Sequence, residues 1–188
     1  MFPTYLELGF DHILDLQGYD HILFLIALCA AYAATEWKRI LILVTAFTIG
    51  HSITLALSSL SVINVDADLV EWLIPVTILI TALIHLFRKP ETKNNRLADY
   101  FLALFFGFIH GMGFSNYFRA LLGQEAEIIV PLFAFNLGVE LGQLVIVAVI
   151  MVLNYLFVSV GKLSQNYWRI GVSLLAALLS IYIMIGKL

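Results

Sequence analysis

The chain has 188 residues, 62% of them hydrophobic and only 12% charged, with a formal net charge of -3 and a single cysteine. A soluble domain carries roughly twice that charged fraction, so the composition excludes an ordinary water-soluble globule, and lone Cys29 excludes an intramolecular disulfide. The length suits one domain, and the apolar residues come in long blocks, so residues 1–188 read as a single all-α transmembrane domain.

Residues 2–18 are too polar and too short to span a bilayer. Pro3 suits a first helical turn, and Leu6, Phe10, Ile13 and Leu14 recur at helical spacing, which predicts a short amphipathic or re-entrant helix. No secretory signal is expected, because Glu7, Asp11 and Asp15 occupy this stretch without a Lys or Arg. Six spans are then predicted, at roughly 19–34, 39–60, 69–87, 97–119, 128–155 and 167–186. The first is short for a crossing, which places its start inside the bundle rather than in lipid. Pro75 stands one turn into the third.

Charge placement sets the expected orientation. Call the face holding the start of the chain side A, and the opposite face side B. Lys38, Arg39, Arg88, Lys89, Lys93, Arg96, Lys162 and Arg169 fall on side B; Arg119 and Lys187 fall on side A. The positive-inside rule makes side B cytoplasmic and puts both termini outside, on the periplasmic side of a bacterial inner membrane. Glu7, Asp11, Asp15, Asp66, Asp68, Glu125 and Glu127 fall on the outer side. They read either as a cation-attracting vestibule or as a solvated face.

The polar residues within the spans carry the chemistry. Asp20 and His21 open the first span, His51 lies about halfway along the second, and His110 lies in the outer half of the fourth. Asn136 and Glu140 stand one turn apart in the fifth. Counted at about 1.5 Å per residue, these levels roughly match. Imidazole and carboxylate together suit a borderline divalent metal: nickel, cobalt, zinc, iron or copper. Calcium and magnesium favour all-oxygen shells. A single intramembrane histidine can equally well bond across helices. Glu140 is harder to dismiss, since a carboxylate at mid-helix costs about 2.5 kcal/mol or more.

His12 reads as an outer contact for the same centre or as a surface residue. His85, near side B, reads as an interfacial residue or an exit-side contact. Asn136 and Gln143 are candidates for orienting the ligands, and Ser52 and Ser115 offer nearby hydroxyls. Gly50, Gly107, Gly111, Gly113, Gly138 and Gly142 flank these positions and permit close helix approach; HGMGF suggests a point of helix unwinding. No HExxH, GxSxG-like, nucleotide-binding or EF-hand pattern occurs in the sequence. No paired axial ligands for haem are fixed by spacing.

The stretches GFDHILDLQGYDHILFLIAL, FTIGHSITLALS, FFGFIHGMGF and FNLGVELGQL, spread in order over residues 9–144, together resemble the HupE/UreJ family of small bacterial membrane proteins. That resemblance implies a nickel permease or metal-uptake protein, with His12, Asp20, His21, His51, His110 and Glu140 as the residues concerned. Asp20-His21 and Gly50-His51-Ser52 are also similar to elements of the wider nickel/cobalt transporters, although HILDLQGYDH is a more spread aspartate–histidine element than theirs.

The expected function is uptake of a divalent transition metal, nickel or zinc foremost, across the lipid bilayer. Protonation of a histidine or of Glu140 is the expected route to release. The competing readings are a membrane metalloenzyme or metal sensor using the same residues, and a structural membrane protein whose polar groups hold helices together. Candidate partners are a second copy of the chain or proteins of metalloenzyme maturation; a nucleic acid is not among them.

Overall fold

The computed structural model describes residues 1–16, 18–88, 96–122 and 128–186. The charged residues of the segment 89–95, Glu125, Glu127 and Lys187 fall outside the described residues, as does the side chain of Arg96. Among the described residues the chain is helical and has no strand. The helices are α1 Phe2–Leu14, α2 Asp20–Cys29, α3 Trp37–Ser59, α4 Ala67–Phe87, α5 Arg96–Gly113, α6 Ser115–Leu122, α7 Ile129–Asn154 and α8 Gln165–Gly186. A 3-10 turn at Ala34–Glu36 leads into α3, and a π-helical turn at Tyr155–Val160 extends α7.

Local chemistry accounts for the helix ends. Pro3 sits in the first turn of α1, where its missing N–H leaves no bond unmade. Asp66 caps α4, its carboxylate accepting from the backbone N–H groups of Asp68 at 2.9 Å and Leu69 at 3.2 Å. Pro75 lies inside α4 without ending it; the Thr77 hydroxyl donates to the Ile74 carbonyl at 2.7 Å just beyond.

Among the described residues, four helical stretches are long and apolar enough to cross a membrane: Ala34–Ser59, Ala67–Phe87, Ile129–Val160 and Gln165–Gly186. Leu97–Gly113 and Ser115–Leu122 make a fifth if the 50° bend between them is counted as lying within one span. That bend falls at HGMGF, where unwinding was expected. The first expected span, 19–34, is not a single helix. α2 has 10 residues, about 15 Å, or half of a hydrocarbon core about 30 Å thick.

The segment holding α1 and α2 nevertheless runs the length of α7. The Phe2 ring lies 6.3 Å from that of Phe133, the Leu6 carbonyl faces Gly138, and Ile13 packs against Gly142. Farther along, the backbone N–H of Ala34 donates to Asn154 Oδ1 at 2.9 Å. So α1 accompanies the first half of α7, the chain breaks at 15–19, and α2 continues toward side B.

Helices pair chiefly as α3 with α5, α1 with α7, and α4 with α8. Glycine makes the first two pairings close. A Cβ on Gly107 would lie 2.2 Å from the Phe47 carbonyl oxygen, and one on Gly138 2.0 Å from that of Leu6. Only hydrogen fits there. These contacts bring His51 of α3 beside α5, and α1 beside the start of α7.

Candidate metal centre

Five histidines are present in the sequence, and four gather where the break between α1 and α2 meets α3 and α5. His12 comes from the last turn of α1 and His21 from the first turn of α2, so their rings approach to 4.7 Å across the break. His51 of α3 lies 6.3 Å from His12, and His110 of α5 lies 5.1 Å from His21. One ligand atom from each of His12, His21 and His51 lies within 4.8 Å of the other two. An ion held about 2.0–2.1 Å from each nitrogen would draw these donors in through ring rotation.

Neighbouring polar groups decide which ring nitrogens are available. Asn136 Nδ2 donates to the Leu132 carbonyl at 2.8 Å, which fixes Oδ1 as the atom facing His51. His51 Nδ1, 3.2 Å away, is therefore the protonated nitrogen, and Nε2 carries the lone pair. The Thr77 hydroxyl spends its proton on Ile74, so at 3.3 Å it accepts from His110 Nε2–H and leaves Nδ1 as the free donor atom of that ring. Asp20 Oδ1 lies 2.9 Å from His21 Nδ1 and accepts the His21 backbone N–H at 2.8 Å. The remaining atoms, Nε2 of His12, His21 and His51 and Nδ1 of His110, are buried without a hydrogen-bond partner. A cluster of unpartnered buried imidazole nitrogens is unfavourable unless something accepts their lone pairs.

A cavity of about 360 Å³ reaches this cluster, lined by His12, Asp15, Gly18, Asp20, His21, Glu71, Ile74, His110, Gly113 and Phe114. Glu71 and Ile74 belong to the first two turns of α4, so the cavity lies toward side A. On the side B flank stand Phe24, Phe47 and Phe106, each three or four residues from His21, His51 or His110 along the same helix. Phe24 stacks on Phe47 at 4.9 Å and meets Phe106 edge-on at 5.9 Å. The three rings form an apolar floor under the imidazoles.

The other residues singled out in the sequence lie elsewhere. Glu140 Oε1 accepts from the Thr45 hydroxyl at 2.7 Å, and Gln143 Oε1 from the Thr48 hydroxyl at 2.8 Å, both across the α3–α7 seam. The Ser52 hydroxyl turns back to the Thr48 carbonyl and that of Ser115 to the Met112 carbonyl, each at 2.7 Å. His85 is buried near side B with its Nδ1 2.8 Å from the Ala27 carbonyl. Close by, Arg88 donates to Asp99 at 2.8 Å, and the Tyr32 hydroxyl donates to the same carboxylate oxygen at 2.6 Å. Burial works against the charge of Arg88, yet the bond to Asp99 and its charge raise the arginine pKa from an already high value.

Thr77 and the phenylalanine floor escaped the sequence reading. Thr77 was visible as a hydroxyl inside an apolar run, but such hydroxyls commonly bond only to their own helix. The floor follows a register, three or four residues from each histidine, that means nothing until the three helices are assembled.

Among known proteins, the sequence profile of the family described as "HupE / UreJ protein" matches residues 1–186. No curated protein and no solved structure gives a match.

Proposed function

Because this chain belongs to the HupE/UreJ family, we propose that it carries a divalent transition metal into the cell, nickel first, with cobalt, zinc, iron and copper compatible with the same donors. The observation that carries this reading is the convergence of His12, His21 and His51 within 4.8 Å, with their Nε2 atoms buried and unpartnered. The ion is the cargo. It collects in the cavity beside Asp15, Asp20 and Glu71 and exchanges water for imidazole nitrogen at the cluster. Asn136 and Thr77 hold the His51 and His110 rings with their lone pairs presented.

The asymmetry of the site favours carriage over storage. The cavity approaches from side A, while the floor of Phe24, Phe47 and Phe106 separates the cluster from side B. This is the arrangement of a carrier facing outward. In this reading α1 and α2 jointly make the first of six crossings as two half-helices, and the break between them holds the cargo at depth. Both termini then face outward. Lys38, Arg39, Arg88, Lys162 and Arg169 lie at the cytoplasmic end of a bacterial inner membrane, as the positive-inside rule asks.

Proteoliposomes loaded with a metal-sensitive dye test this reading. External Ni²⁺ should reach the dye through the wild-type protein and not through His51→Ala. Equal rates for the two, or a wild-type rate no faster than protein-free vesicles, would contradict it.

A further inference from the structure

We infer that Glu140 is a second, charged station for the ion, inward of the histidine cluster and reached along the α3–α7 seam. This rests on the uptake reading above.

The seam carries three polar pairs, one at His51 and two that cross each other deeper in the seam. His51 faces Asn136, Thr48 bonds Gln143, and Thr45 bonds Glu140. From Asn136 to Glu140 is four residues of α7, about 6 Å toward side B. Thr48 follows Phe47 in α3, so the Thr48–Gln143 pair lies close to the level of the floor. Along this line a cation leaving the cluster meets the side-chain oxygens of Thr48, Gln143, Thr45 and Glu140.

The chemistry of the Thr45–Glu140 pair separates a station from a helix clasp. Thr48 and Thr45 make the same kind of bond to α7 at 2.8 and 2.7 Å, one to an amide and the other to a carboxylate. Gln143 shows that a neutral amide suffices to clasp these helices. Glu140 makes the equivalent bond with a group far more costly to hold within a membrane. Among the described residues no basic side chain pairs with it. Its carboxyl group can take a positive partner that the described side chains do not supply, and a divalent cation is the one this site would bring.

Glu140→Gln keeps an oxygen for the Thr45 hydroxyl and removes only the charge. Purified wild type and Glu140→Gln are compared by equilibrium dialysis with Ni²⁺, and by Ni²⁺ uptake into proteoliposomes, with His21→Ala as reference. The inference expects Glu140→Gln to bind Ni²⁺ within about twofold of wild type, unlike His21→Ala, and to lose at least about tenfold in uptake rate. Wild-type uptake by Glu140→Gln would reduce the residue to a clasp and overturn the inference while leaving the proposed function intact. Loss of binding as severe as in His21→Ala would make Glu140 part of the first site and also overturn it. Wild-type protein that binds Ni²⁺ without moving it would remove the uptake reading itself, and the inference with it.

Discussion

At the scale of single residues, the centre depends on groups that never need to touch the ion. Asn136 is held by Leu132 and in turn assigns the proton of His51 to Nδ1. Replacing Asn136 with Leu removes that assignment while keeping bulk, and Ni²⁺ affinity should fall by about 10- to 100-fold in equilibrium dialysis. An unchanged affinity would mean that His51 is oriented by packing alone. The histidines themselves were legible, because imidazole within an apolar run is costly wherever it falls. Their partners were less so. Depth counted along a helix put Glu140 one turn from Asn136 and roughly level with the cluster, but its bond to the Thr45 hydroxyl was not legible. Ser52 and Ser115 had the right position in sequence, yet each spends its proton on a carbonyl of its own helix or turn.

At the scale of elements, backbone contact between helices delivers the rings to one place. Gly107 meets the Phe47 carbonyl, and Gly111 lies against the His51 backbone, so α3 and α5 carry His51 and His110 at a separation that side chains would prevent. Gly107→Ala should destabilise the protein by about 1–3 kcal/mol, read as a lower thermal unfolding midpoint in detergent. At Gly171 in α8 a methyl group would meet nothing within 4 Å, so Gly171→Ala should hold or raise the midpoint, by up to about 1 kcal/mol of stability. Similar losses from both substitutions would place the sensitivity in glycine content rather than in this contact. The long helices were predictable from apolar length, and the HGMGF bend from glycine spacing. The broken pair α1 and α2 was not. Residues 2–18 read as an amphipathic or re-entrant helix, and only the contacts with α7 show which helix α1 lies along.

At the scale of the whole molecule, a polar interior is built toward one face and sealed toward the other. Acidic and histidine side chains line the cavity on side A, a phenylalanine floor follows, and beyond it Tyr32, Arg88 and Asp99 tie the ends of α2, α4 and α5 together near side B. Composition alone announced a membrane protein, and charge bias announced its expected orientation. The sealing could not be read from the sequence, since phenylalanine in an apolar helix is expected everywhere. All of this turns on whether the four gathered imidazoles hold a metal. The direct measurement is the Ni²⁺ retained by the purified wild-type protein and by its His12→Ala, His21→Ala and His51→Ala variants after equilibrium dialysis. The account predicts about one tightly held ion per wild-type chain and its loss in each variant. Retention at the wild-type level in all three variants would contradict it.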